Sequence, residues 1–552
     1  MARPSNPTLP ESRPMLRTIH SLSRSASPLA SFLVAALTFL PLAMYGTWLD
    51  AEGAAKSDRD AQLEAALRKE TKKIQGKYCR DLERAASFAA KNGLAAEAKA
   101  LVDKIVALDP EYSRLEGIRK QVDSATAESD AAKVASARTS FARRLTAADE
   151  KHGSELSRLS TACMRVGLFT KAYDMIQNVI EISPDDAKAR KILGFRKDTK
   201  TKEWMSQWEY EMRRKNFLTP EGWFEKKYEK DYEKGLRPYK GKWIPAEREQ
   251  EIRTRNEYAP YTVQTEHFEV QTNLGREKAY EFAMRLEDFY GQFFRVFIGY
   301  YDQVAGAKLL FNRPDTKKQH VVLLFPDHAA YLTHVKSEHG NKELLRESAG
   351  FYWSGDRKSR FYWSDNVEET YRTLHHEVAH QLFDETKPDS RGGSQGNNWV
   401  VEGIASYIET WKKVDGTWRP GWEIDNNRLQ TARSFLDGHP DWKLESFARI
   451  GYDEFHKDGR GLNYALSAAL CHFFMHFDDE RYKEDFVRFL KTYYEGGVRE
   501  DSLATFITVE GAGGVFATLE QQLRSYLQSL RRPSDVDSSD VAADDANEDP
   551  AG

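Results

Sequence analysis

Cysteine is almost missing from this chain: Cys79, Cys163 and Cys471 are the only three in 552 residues. They stand far apart and form no CxxC pair, which argues against a disulfide framework and a thiolate metal site. Cys163 and Cys471 sit in apolar helical patterns, the usual setting of buried structural thiols. A surplus of one charge sign is also lacking. Net charge is −4, so no basic field supports nucleic-acid binding. Long uncharged apolar runs are absent with one exception, residues 28–49, PLASFLVAALTFLPLAMYGTWL. Aromatic residues are plentiful, at 12% of a chain that is 40% hydrophobic and 30% charged. That balance suits soluble globular bodies with sizeable cores and aromatic faces or grooves, and the length suggests roughly two to four domains.

The apolar run is long enough to span a bilayer. Arg3, Arg13, Arg17 and Arg24 precede it, so the positive-inside rule keeps residues 1–27 cytoplasmic and exports the rest. No small-x-small cleavage site directly follows; the nearest Ala/Gly cluster, 51–55, lies beyond Asp50. An uncleaved transmembrane anchor is the favoured reading, and a cleaved signal segment is the other. The body is then membrane-anchored on the extracytoplasmic side, or secreted. Residues 1–27 are rich in Ser, Pro and Arg, and 532–552 are acidic without aromatics; both read as disordered.

Residues 54–193 carry Ala, Lys and Leu at helical spacing and contain an internal repeat. LERAASFAAKNGLAAEAKALVDKIVALDP, from Leu82, aligns without gaps on LSRLSTACMRVGLFTKAYDMIQNVIEISP, from Leu156. Gly93 matches Gly167, Ala98 matches Ala172, and Pro110 matches Pro184. Each unit reads as helix, glycine turn, helix and proline stop. This resembles tetratricopeptide-type hairpins, which implies either a protein-partner scaffold or a helical spacer packed on the following domain. Residues 194–258 are dense in Lys, Arg, Glu and Trp and read as a linker of charged helices with solvated faces. From 259 to 531 the expectation is an α+β, mostly helical domain. TEHFEVQTN alternates like a strand, with Phe268 and Val270 on one face. KQHVVLLFPD is a short apolar strand, AGFYWSGDRKSRFYW an aromatic hairpin about Gly355–Asp356, and nearly everything from Val367 onward reads as helix.

The chemistry concentrates in YRTLHHEVAHQLF, residues 371–383, which contains HExxH as His376, Glu377 and His380. Two histidines four apart share one helix face, so both rings can reach one metal ion. Glu377 lies about 100° round the helix, placed to touch a water without ligating the metal. Leu374, Val378 and Leu382 form an apolar stripe nearly opposite the histidines, which sets the imidazoles in a cleft and the stripe in a core. His375 points about 100° away from His376 and reads as structural. A second helix, NNWVVEGIASYIE, offers Glu402 as a third ligand; Glu402, Ser406 and Glu409 share one of its faces, and Ile404, Tyr407 and Ile408 the other. His2Glu leaves a fourth position for water. Gly403 beside the ligand permits close helix packing.

HEVAH followed by W-V-V-E-G-x-A-x-Y-x-x-E resembles the gluzincin metallopeptidases, and the E-G-x-A element is shared with the aminopeptidases among them. The layout of 259–530 is similar to bacterial gluzincin-like domains of unknown function. The resemblance implies one Zn2+ per chain on His376, His380 and Glu402, Glu377 as general base, and a peptide or protein substrate. It also implies an oxyanion donor downstream, for which Tyr464 in LNYALSAALCHFF is the candidate; a core tyrosine is the alternative. Glu409 either orients a ligand or is a surface carboxylate. The hairpin Phe351–Trp363 is either core or the edge strand for an extended peptide. No G-x-M-E-N segment is present, so the resemblance does not extend to aminopeptidase specificity. A zinc peptidase is the expected function. The alternative is an anchored helical-repeat scaffold whose metallopeptidase-like domain is idle and binds protein.

Overall fold

The structure, a computed structural model, describes residues 58–530 apart from 126–129, 256–259, 302–310, 312–317, 341–347, 387–395, 415, 422–426, 458–459, 500–501, 508 and 510–513. The expected cytoplasmic N-terminus (1–27), membrane segment (28–49) and acidic tail (532–552) lie outside the described residues. Among the described residues no helix is long and apolar enough to cross a membrane.

Two helical hairpins open the fold: α1 (Asp58–Lys91) with α2 (Ala95–Leu108), and α4 (Ala131–Arg165) with α5 (Phe169–Ile182), separated by α3 (Leu115–Asp123). The gapless sequence repeat has a backbone counterpart. Gly93 and Gly167 take φ of 74° and 79°, a left-handed turn that glycine enters without a Cβ clash. Leu94 and Leu168 then plug the turns, and their N–H groups donate to Ala89 and Cys163 carbonyls, 2.9 and 3.0 Å. Ala98 and Ala172 are both fully buried, because a larger side chain there would force the paired helices apart. α1 and α4 run 34 and 35 residues, longer than the repeat itself. Their extra turns pair α1 with α4 through the Tyr78–His152 ring stack, centroids 4.0 Å apart. All three cysteines are buried, and none is in a disulfide.

After α6 (Ala187–Ile192), residues 196–255 depart from the expected helical linker. They form three antiparallel ribbons, β1 (Arg196–Lys197) with β2 (Trp204–Met205), β3 (Asn216–Thr219) with β4 (Gly222–Glu225), and β5 (Leu236–Tyr239) with β6 (Lys242–Pro245). Each ribbon is followed by a short helix: α7 (Gln207–Lys215), α8 (Glu229–Glu233) and α9 (Ala246–Arg255). Three tandem ribbon–helix units result, each with a tryptophan in its second strand: Trp204, Trp223 and Trp243. Turn chemistry outweighs the charge pattern here. Lys240 and Gly241 take φ of 46° and 75°, the positive pair of a two-residue hairpin turn. Strands of two to four residues are too short for a period-2 signal to stand out among lysines and glutamates.

The domain that follows is built on one five-stranded mixed sheet, order β10-β11-β9-β8-β7. Its strands are β7 (Tyr261–Gln264), β8 (Phe268–Thr272), β9 (His320–Phe325), β10 (Gly350–Trp353) and β11 (Lys358–Tyr362). β8, β9 and β11 run parallel; β7 and β10 are antiparallel edges. Phe268 and Val270 bury completely under α10 (Arg276–Val296), whose Phe282, Leu286, Phe289 and Phe293 form its core stripe. α11 (His328–His339) covers β9 and β11. α12 (Val367–Thr386) packs on β10 and β11, and α13 (Trp399–Ile408) lies between α12 and α17 (Arg460–Glu480). Before α17 come the ribbon β12 (Lys412–Val414) with β13 (Thr417–Arg419), then α14 (Asn427–Gly438), α15 (Leu444–Ala448) and α16 (Tyr452–Phe455); α18 (Lys483–Tyr494), α19 (Leu503–Phe506) and α20 (Gly514–Ser529) close the subdomain. Ribbon β12–β13 interrupts the stretch expected to be almost all helix. α13 is buried on both faces, Ser406 as fully as Ile404.

The helical hairpins pack on this domain. Arg295 of α10 pairs with Asp174 at 2.6 Å, and the Thr170 N–H donates to Glu484 at 3.0 Å. Arg68 of α1 donates to the backbone carbonyls of Asp479 and Glu480. The regular part of α17 ends there, because Asp478, Asp479 and Glu480 take left-handed φ of 48°, 56° and 62°. A non-glycine residue in that region costs about 1–2 kcal/mol. Asp478→Gly is therefore expected to stabilise the fold by about 0.5–1 kcal/mol after glycine's extra unfolded-state entropy is offset. Denaturant unfolding of the variant checks this, and a lower midpoint contradicts it.

Candidate metal centre

α12 is held on the sheet before it can present anything. Leu374, Val378 and Leu382 bury in the core, as the stripe in the sequence requires. Buried Gln381, next to His380, accepts from Ser359 Oγ at 2.8 Å and donates to the Val321 carbonyl at 3.2 Å. A buried amide satisfied on two strands fixes both the height and the rotation of the helix. His375 stacks on Phe289, centroids 4.6 Å apart, and burial holds its pKa down at about 3. It belongs to the core between α12 and α10.

α13 is started by Asn397, whose φ of 57° is a left-handed turn that asparagine tolerates. Its N–H donates to Ala448 O at 3.1 Å and its side-chain amide to Arg499 O at 2.8 Å. Gly403 then lets α13 approach α17: a Cβ on it would stand 2.8 Å from Ser467 O and 2.9 Å from Cys471 Sγ. That close approach, together with the packing on α12, sets where Glu402 arrives.

His376, His380 and Glu402 converge. The two Nε2 atoms are 3.1 Å apart, and Glu402 Oε2 lies 3.4 Å from His376 Nε2 and 3.6 Å from His380 Nε2. Tetrahedral coordination with bonds near 2.0–2.1 Å has edges of about 3.3 Å, so this triangle has the dimensions of one face. The group can hold a metal ion. The donor set fits: two imidazole nitrogens and one carboxylate suit zinc and other borderline divalent ions. His376 Nδ1 meets Glu409 Oε1 at 2.6 Å. With the proton on Nδ1, that bond turns the Nε2 lone pair toward the metal position. Glu409 is thus buried behind the ligand, not a solvated surface group.

Glu377 stands beside the triangle, and its Oε2 accepts from the Tyr352 N–H of edge strand β10 at 2.8 Å. The Tyr352 hydroxyl donates to Asp384 at 2.7 Å, so this one residue ties strand and helix at two points. On α17, burial first and then the charge of Glu402 push the phenol of Tyr464 up. Arg428, on the first turn of α14, reaches Glu409 with Nη2 at 3.1 Å from Oε1 and Nε at 3.3 Å from Oε2. Arg428, Gln381 and Tyr352 were not singled out by the sequence, because nothing in their local pattern separates them from ordinary helix or strand residues.

Electrostatics divides the carboxylates by role. Burial favours the neutral acid of Glu402, yet His380 and His376 outweigh it and hold the group well below its ordinary value. Glu409 is lowered likewise, with His376 prevailing over burial. Glu377 is raised, by burial before all else, with His376 and His380 only partly opposing. Burial works against charge on His376, but its bonds to Glu402 and Glu409 prevail and raise it well above 6.5.

The raised value of His376 means that a cation has to compete with a proton for its ring. Zinc uptake near neutral pH is expected to release about one proton. Because the metal needs the deprotonated ring, affinity falls as pH falls. Calorimetric titration in two buffers of different ionisation enthalpy measures the release; equal heats in both would contradict it.

No curated protein matches the chain. A family model described as a protein of unknown function (DUF1570) matches residues 370–495, a stretch that contains His376, Glu377, His380, Glu402, Glu409, Arg428 and Tyr464.

Proposed function

We propose that this chain is a zinc-dependent peptidase of gluzincin type that hydrolyses peptide bonds, with Glu377 as general base. The observation that carries the reading is the triangle of His376 Nε2, His380 Nε2 and Glu402 Oε2, with sides of 3.1, 3.4 and 3.6 Å, beside a carboxylate that is not part of it. A zinc ion held by these three residues supplies Lewis acidity, acidifying a water and polarising a carbonyl. Glu377 takes the proton of the attacking water on a carboxylate oxygen and passes it to the leaving amine. Its raised pKa favours both halves of that transfer near neutral pH. Tyr464 donates its hydroxyl toward the oxygen that gains charge.

Strand β10 lies at the sheet edge beside the site, and an extended peptide can add there by backbone pairing. That arrangement favours a peptide substrate over a compact small molecule. The helical hairpins serve as a tetratricopeptide-like brace, since Asp174 and Thr170 contact α10 and α18. The apolar run 28–49 anchors the body on the extracytoplasmic side or directs its secretion.

Metal analysis of the purified protein, with cleavage of an unfolded protein substrate before and after chelation, tests the reading. Stoichiometric zinc and chelator-sensitive cleavage are expected. Cleavage that survives chelation rejects it.

A further inference from the structure

We propose that Arg428 is a positioning residue for the metal centre, holding Glu409, the support of His376, and the ring of Tyr464 on α17 with one guanidinium. This rests on the metal-site reading above and extends it to a residue outside the zinc-binding motif.

The geometry has two arms. On one side Arg428 grips Glu409 as a fork, Nε to Oε2 at 3.3 Å and Nη2 to Oε1 at 3.1 Å. Glu409 Oε1 is the same oxygen that meets His376 Nδ1 at 2.6 Å. A carboxylate with two oxygens and a ring to orient can rotate about its own axis; the fork removes that freedom. On the other side the Arg428 guanidinium lies over the Tyr464 ring, 5.3 Å from its centroid, within cation–π range. Tyr464 is carried by α17, the helix on which Gly403 seats α13 beside Glu402. One planar cation thus stands behind His376 and against the helix that seats α13, from a helix that carries no ligand.

Arg372 also approaches Glu409, but only at 3.7 Å and with its side chain 48% exposed, against 29% for Arg428. The solvent-screened contact is the weaker one. Lysine cannot replace Arg428 fully, because a point charge neither forks onto a carboxylate nor stacks flat on a ring.

The test measures Zn2+ affinity of the full-length protein by chelator competition, with thermal unfolding as a check that each variant folds. Arg428→Met is expected to weaken zinc binding about 10- to 100-fold, the usual cost of losing a residue that orients a ligand. Arg428→Lys should recover part of that loss. In a double-mutant cycle with Glu409→Gln, the two losses should not multiply, because both remove the same restraint on His376. A merely structural arginine would lower the unfolding temperature while leaving affinity unchanged, or its loss would multiply with that of Glu409→Gln; either result overturns the proposal. If the wild-type chain takes up no zinc, the peptidase reading and this one fall together. If it binds zinc tightly and Arg428→Met binds it equally well, only this one falls.

Discussion

Glu377→Gln is expected to lower peptide hydrolysis about 1,000-fold and to leave zinc uptake intact. The size follows from the worth of a positioned general base, about 10²–10⁴ in rate. The separation of effects follows from position. Glu377 is outside the ligand triangle, and its Oε2 is already engaged by the Tyr352 N–H at 2.8 Å. Glutamine keeps the shape and can still accept that bond, but it cannot take a proton from water. His376→Ala supplies the contrast: it removes a ligand and leaves Glu409, which is 8% exposed, without the ring it holds, so both metal and activity are lost. A peptide-library cleavage assay run beside metal analysis reads the two together. Undiminished cleavage by Glu377→Gln would sink the general-base assignment. Zinc bound at full stoichiometry with no cleavage by the wild type would favour the idle-scaffold alternative.

Gly403→Ala is the second large effect, and it acts through packing. The added methyl meets Ser467 O at 2.8 Å and Cys471 Sγ at 2.9 Å. The first is backbone within α17 and cannot swing aside. Overpacking of this kind costs about 1–3 kcal/mol. The strain has one exit, withdrawal of α13 from α17, and α13 carries Glu402 beside the altered residue. Stability and zinc affinity should therefore fall together. Gly438→Ala is the control: nothing lies within 4 Å of its Cβ position, so it should be neutral within about 0.5 kcal/mol. Denaturant unfolding and chelator competition on both variants decide the matter. Wild-type stability in Gly403→Ala would mean that the two helices do not rely on this close approach.

Much of the centre was legible in the sequence because it is local. His376, Glu377 and His380 sit within one and a half helical turns, and the period of the helix alone aligns the rings opposite Leu374, Val378 and Leu382. The glycine turns of the hairpins were legible for the same reason: Gly93 and Gly167 repeat with their flanking residues intact, and a left-handed turn needs no distant partner. The three ribbons between 196 and 245 were not. Their strands are too short to show alternation, and their turns lie among charges that also suit helices. Glu409 fits both a surface carboxylate and a ligand support in the sequence, since burial is a property of what packs around it.

The sequence by itself determined which residues can bind a metal and which faces of their helices they occupy, because those follow from side-chain chemistry and a fixed 100° per residue. The tertiary structure alone decided that Glu402 meets the two imidazoles within 3.4 and 3.6 Å. It also decided that Arg428 stands behind Glu409, that Gln381 anchors the helix, and that Tyr352 reaches Glu377 from an edge strand. Those distances depend on how closely α13 seats against α12 and α17 and on where β10 falls in the sheet. That is a matter of close packing between segments far apart in the chain, which no local period encodes.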